Sequence, residues 1–234
     1  MLLIARLIWP VVALLILALI ALLAVPTRPA HASDLALAPF ATKAPAASPW
    51  FVYMGLETGG SVTQHSFDFT GTGTGTVQIG GALAGGILGF EYKNQFVMLR
   101  AEGDVDYDFG RGGTVCAGMG LACHIKNGVV VTERVDFGLP QAWLGGATPF
   151  VSGGSQQRQT TATVDTVGSV TPWQNAFLAG AGIDLPAGYL FSIGARWDHV
   201  WQAQAIGLGN AVLPAVANTG QSDVFKVNLK WRLN

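Results

Sequence analysis

Charge is the first thing this 234-residue chain is short of: Asp, Glu, Lys and Arg make up 12% of it, against about 25% in an average soluble protein. A water-facing shell wants roughly 25–35% charged residues, so there are too few to coat an ordinary soluble domain. No sign dominates either. Thirteen basic and fourteen acidic side chains leave a net charge of −1, without the basic footprint of a nucleic-acid binder. Long apolar runs are missing beyond Val25, where no further stretch of 18 apolar residues occurs; a second membrane-spanning helix is therefore not encoded. Disorder is excluded by what remains, since half the chain is hydrophobic and 10% is aromatic, the reverse of a disordered composition. What the chain has in excess is glycine, 31 residues, about twice the average share, as many turns or closely approaching backbones require.

The one long apolar run, Leu7 to Val25, follows Arg6 and is closed by Pro26-Thr27-Arg28-Pro29-Ala30-His31-Ala32. A positive residue, an apolar segment, a helix-breaking stretch and small residues at −3 and −1 (Ala30, Ala32) are the grammar of a cleaved signal peptide. The alternative is an uncleaved anchor, because nineteen apolar residues are long enough to cross about 30 Å of hydrocarbon. We expect residues 1–32 to be a signal helix, 33–49 (Ala/Pro-rich, without periodicity) a periplasmic lead-in, and 50–234 a single domain.

If that domain spans a membrane it must do so with strands closed into a barrel, because lipid offers the backbone no hydrogen-bond partner. The expected pattern is alternation, apolar toward lipid and polar toward the lumen. Between Val97 and Phe109 the odd positions are Val97, Leu99, Ala101, Gly103, Val105, Tyr107 and Phe109, and the even ones Met98, Arg100, Glu102, Asp104, Asp106 and Asp108. Only a strand puts all those charges on one face. Phe225, Val227, Leu229, Trp231 and Leu233 alternate with Lys226, Asn228, Lys230, Arg232 and Asn234, and Phe191 to Asp198 repeats the pattern. Further strands are expected over 50–57, 81–92, 129–139, 150–158 and 173–185. Short connections (93–95, 186–188, with 140–148 somewhat longer) then alternate with long ones (59–80, 110–128, 159–172, 202–221). The expectation is an all-β, eight-stranded antiparallel up-and-down transmembrane barrel with both termini on the short-turn, periplasmic side. A soluble barrel would alternate too. The low charge, the segregated loop lengths and aromatic residues near strand ends on the apolar face (Trp50, Phe90, Tyr92, Tyr107, Phe109, Trp197, Trp201, Trp231) favour the membrane, where such residues form interfacial girdles.

Several stretches carry a resemblance: Trp50-Phe51-Val52-Tyr53-Met54-Gly55 after an Ala/Pro-rich segment, Gly85 to Tyr92, Ala101 to Asp106, Pro149 to Gly154, Ala179 to Asp184, and the final strand. In this order they resemble small outer-membrane barrels of the OmpA-like, opacity-porin type, common as surface antigens in alphaproteobacteria. The resemblance implies a structural or surface-exposed role, at most weak pore activity, and no enzyme. Such barrels usually finish on an aromatic residue read by the assembly machinery, whereas this chain ends Trp231-Arg232-Leu233-Asn234.

Parity assigns Glu57, Glu91, Arg100, Glu102, Asp104, Asp106, Arg134, Asp136, Asp184, Arg196, Asp198, Lys226, Lys230 and Arg232 to the lumen. An eight-stranded barrel is just wide enough for its own side chains to fill, and unpaired charges there are costly. The near-balanced set therefore predicts a salt-bridged plug, with the acidic third strand facing the basic eighth. Glu133 is a misfit: on this parity it faces lipid, unless a bulge or a register error turns it inward.

The weaker signals have plain readings. Cys116 and Cys123 in the second long loop are expected to form a disulfide in an oxidising envelope; one adjacent histidine, His124, is too little for a metal site. His199 and Asp198 point to opposite strand faces with no serine aligned, so a hydrolytic triad is not expected and His199 reads as a rim residue. His65 reads as solvated in the first loop. The Thr-Gly repeats around Thr70–Gly75 match no phosphate loop and suit a flexible or hairpin-extending segment. No catalytic residue, cofactor or metal is expected. The expected partners are outer-membrane lipid and lipopolysaccharide, the barrel-assembly machinery, and an extracellular partner reached through the long loops. The expected role is structural or surface-interacting, in the outer membrane of a Gram-negative bacterium after cleavage near Ala32; a narrow diffusion porin is the alternative.

Overall fold

Alternating side chains with few helix-forming runs leave the backbone to find its hydrogen bonds between strands. The computed structural model describes residues 49–69, 73–115, 122–164, 168–188, 190–202 and 216–233, all within one compact unit, Ala47–Asn234. Residues 1–48, where the signal helix and the lead-in are expected, lie outside the described residues, as do Cys116 and the Cys123 side chain. Ten strands form: β1 (Trp50–Phe69), β2 (Gly73–Lys93), β3 (Met98–Asp108), β4 (Arg111–Val115), β5 (Ala122–Gly138), β6 (Thr148–Val164), β7 (Gly168–Val170), β8 (Trp173–Pro186), β9 (Phe191–Gln202) and β10 (Val216–Arg232). β3 and β4 share one position in the wall, separated by Phe109-Gly110. β7 and β8 share another, separated by Thr171-Pro172, where proline brings no N–H to a ladder. Eight staves result, all antiparallel, and the sheet closes because β1 pairs with both β2 and β10.

The closure has a measurable stagger. A row of paired residues followed round the wall runs Met54, Leu88, Gly103, Glu133, Ser155, Phe177, Trp201, Gln221 and back to β1 at Gln64, ten residues further along. With eight staves this shear tilts the strands by about 40°, and the row climbs a little over one residue per stave. Both ends of the described barrel, Trp50 and Arg232, lie at one end, the base. The base turns are short at Asn94–Val97 and around Gly188, whose φ of 118° suits glycine. A longer base turn holds a single 3-10 turn, Ala142–Leu144.

Burial confirms the sidedness. β3 alternates strictly, Arg100, Glu102, Asp104, Asp106 and Asp108 buried and Leu99, Ala101 and Val105 exposed. Charged residues buried inside an apolar exterior invert a soluble protein and are what a transmembrane barrel requires. Trp50, Phe90, Tyr92, Phe191 and Trp231 ring the base, with Trp50 stacked on Phe90 at 5.0 Å. Tyr107, Phe109, Trp173, Phe177 and Trp201 form a second belt, about 25 Å away along the barrel axis on the tilt above. Trp197 departs from the expected girdle. It sits four residues below Trp201 on β9, inside the apolar band, with its indole N–H donated to Asp223 at 3.2 Å.

The strands are longer than the sequence pattern indicated. Of residues 59–80, expected as a loop, 59–69 and 73–80 are paired strand, in register from Gly59↔Leu83 to Phe69↔Gly73, so β1 and β2 rise well past the upper belt. β5 and β6 likewise extend to Ala122 and Val164. Out there neither face meets lipid, so the apolar alternation that betrays a membrane strand fades. β5 also carries a bulge: Gly128 and Val129 stand against Gln159 alone, and the inward parity switches from Ile125 and Asn127 to Val130 and Thr132. Glu133, below the bulge, remains exposed on the outer face, so neither a face flip nor a register error removes it.

Candidate functional site: the barrel lumen

The interior is built in layers. At the base, the Phe150 ring lies among three cations: the Arg100 guanidinium at 4.6 Å, Arg196 at 5.5 Å and the Lys230 ammonium at 5.9 Å from its centroid. Cations gain from the negative face of a ring, the more so when desolvated. Arg100 donates from Nε (2.7 Å) to Asp136, approaches it with Nη2 (2.6 Å), and also binds Asp184. Lys230 bonds both oxygens of Asp184 at 3.1 Å. Arg232, expected in this network, is only partly inside. Its side chain stays 30% exposed at the open base, 3.8 Å from Glu91 and over the Phe51 ring.

Glu102 is the hub of the next layer. It accepts the Tyr53 hydroxyl at 2.5 Å and is met by Arg196 at 2.6 Å, Arg134 at 3.4 Å, Lys230 at 3.6 Å and Arg100 at 3.7 Å. Arg134 also donates to Asp198 at 2.8 Å and pairs with Asp104, while Arg196 reaches Asp136 at 3.7 Å. Above them Lys226 bonds Glu57 at 2.6 Å, Asp104 at 3.2 Å and Asp106. The acidic third stave thus does meet basic β10 across the lumen. Glu57, Asp104 and Asp106 are the one trio among the described residues close enough together to hold a metal, but the Lys226 ammonium bonds all three and already supplies the countercharge.

Glycine makes this crowding possible. A Cβ on Gly89 would collide with the Tyr53 hydroxyl, and one on Gly194 with the carboxylate of Asp184 and the amide of Asn228. Small residues on the inner wall give the large charged ones their room.

One storey further from the base the chemistry changes. Leu83, Ala176, Leu178, Val200 and Val224, on β2, β8, β9 and β10, form a buried apolar cluster inside the lumen. Polar groups return alongside and above it. Asp108 accepts from Ser61 (2.8 Å) and Asn127 (3.0 Å), with Arg158 at 4.0 Å, and Arg158 donates to Thr63 (2.8 Å) and Ser222 (3.1 Å). Asp108 and Arg158 were not among the lumen residues expected from sequence, although Asp108 continues the even parity of β3 and Arg158 the inward parity of β6. His65 was misplaced outright: it is fully buried in the extended β1, not solvated in a loop.

The outer wall holds one further pairing. His199 Nδ1 lies 2.9 Å from Asp223 on β10, with Trp201 edge-on at 4.5 Å, while Asp198 points into the lumen toward Arg134. The acid beside His199 in sequence is thus not its partner in space.

No protein-family model matches the chain, and no curated protein matches it in sequence. Solved structures share its architecture at low identity. It is similar to Ail, the attachment invasion locus protein of Yersinia pestis (11% identity over 77% of this chain and 98% of that one, TM-score 0.40). It is also similar to Neisserial surface protein A (11%, 80% and 98%, 0.41) and to the outer membrane protease OmpT of Escherichia coli (7%, 78% and 97%, 0.44).

Proposed function

We propose that this protein is an outer-membrane barrel of structural or surface-interacting role, closed to solutes, in the manner of the OmpA-like barrels its sequence resembles. The observation that carries the reading is the filled lumen: a reciprocal ion-pair network centred on Glu102 and Lys226, under an apolar cluster of Leu83, Leu178, Val200 and Val224. A conducting pore needs a wetted path with weak sites. Here acids and bases of both signs face each other across the lumen, and in the next storey an apolar cluster occupies the β2, β8, β9 and β10 side beside polar groups on the other. The outer face supplies the membrane fit, and the hairpins beyond the upper belt supply surface for a partner. The β1–β2 hairpin, from Val62 to Phe69 and back from Gly73, stands about 20 Å clear of the belt. Outer-membrane lipid, lipopolysaccharide and the assembly machinery are its natural surroundings.

Reconstitution into planar bilayers tests the reading. The expected result is a current indistinguishable from the bare membrane, with the barrel shown folded by its heat-modifiable gel mobility. Stable unit conductance steps would overturn the plug and select a narrow diffusion pore.

A further inference from the structure

Glu133 interrupts the apolar wall. It is exposed on the outer face of β5, three staves along the row from Met54 and therefore level with Thr58, a little above mid-height between the aromatic belts. Among the described residues it makes no hydrogen bond or ion pair. The wall around it is hollow: Ala101 and Gly103 on β3 and Gly153 and Ser155 on β6 leave an open dent of about 420 Å³. A Cβ on Gly153 would meet nothing within 4 Å. At similar height the other staves present Leu88, Val105, Trp197 and Phe225. Two hydrogen-bond donors share the patch, both exposed and neither bonded among the described residues. Ser155 stands opposite Glu133 in register, and Gln157 lies two residues further along β6.

An ionisable group facing hydrocarbon calls for a partner, and small residues let two membrane surfaces approach closely. A two-fold axis along the membrane normal needs acceptor and donors on one self-complementary patch. Along the barrel axis Ser155 lies about 3 Å and Gln157 about 8 Å above Glu133, spans that the Glu133 and Gln157 side chains can bridge. We propose that the β3–β5–β6 face is a self-association surface, on which a second copy of this chain packs so that each Glu133 accepts hydrogen bonds from Ser155 and Gln157 of the other. The dent is the space in which the two walls interlock.

Disulfide crosslinking of the full chain in lipid vesicles, in a Cys116→Ser, Cys123→Ser background, tests this. Ser155→Cys should oxidise to a dimer. Val227→Cys, exposed on β10 on the opposite side of the wall, should not. Adding Glu133→Leu should lower the Ser155→Cys dimer yield at least tenfold with the heat-modifiable gel shift unchanged. Should that variant not fold, Gly153→Leu, which fills the dent, should give the same loss, while Glu133→Gln, which keeps an acceptor, should retain the dimer. Equal crosslinking at 155 and 227, an undiminished dimer in the folded Glu133→Leu or Gly153→Leu protein, or crosslinking of Ser155→Cys in native membranes to a different protein alone would each overturn the proposal.

Discussion

The lower lumen and the β2–β8–β9–β10 side of the storey above it lie in one cylinder and are filled by opposite chemistry. Below, Arg100, Arg134, Arg196, Lys226 and Lys230 interlock with Glu57, Glu102, Asp104, Asp136, Asp184 and Asp198; above, Leu83, Leu178, Val200 and Val224 simply touch. The two respond differently to loss. An ionic layer is reciprocal, so removing one member strands its partners in a low dielectric. An apolar layer is non-directional, and losing one side chain costs only its transfer energy and the cavity left behind.

The sharpest way to test that contrast is Arg134→Leu, which leaves Glu102, Asp104 and Asp198 short of a shared cation. A loss of about 3–5 kcal/mol is expected in urea unfolding from lipid vesicles; a loss below about 1 kcal/mol would mean that water already solvates the network. Leu178→Ala, in the apolar storey, should cost less, about 2–4 kcal/mol, and should leave planar-bilayer current at baseline because the ionic layers still fill the lumen beneath. A current in that variant would break the division of labour between the storeys. The smallest effect is expected outside the lumen, with the sign reversed. Glu133→Leu removes an acid from hydrocarbon and should stabilise the dilute monomer by about 1 kcal/mol in the same unfolding assay.

How far the architecture could be read from sequence depended on where alternation has a cause. Within the membrane band one face meets lipid and the other meets charge, so Met98 to Asp108 and Phe225 to Arg232 declared their strands and their inward sides. Beyond the upper belt both faces are polar or small, and the paired stretches 59–69 and 73–80 resembled a loop. That is why His65 was expected in a loop; Asp108 and Arg158, at the ends of segments whose parity was legible, were left out of the lumen although that parity points them inward. Trp197 carried an aromatic signal without a position, since its height follows from the tilt and not from its neighbours in sequence.

Alternation is a local property, set by a backbone that turns each successive side chain to the opposite face, and so within the membrane band the order of residues alone fixed which side chains look inward, which meet lipid, and that the inward set nearly balances in charge. Which acid meets which base was decided only when the wall closed. Arg134 and Asp198 lie 64 residues apart, and Lys226 and Glu57 169. Their meeting depends on the register accumulated over eight pairings, ending in a ten-residue stagger, and no single strand contains that sum. The same closure set Glu133 a little above mid-height and stacked an apolar storey on an ionic one.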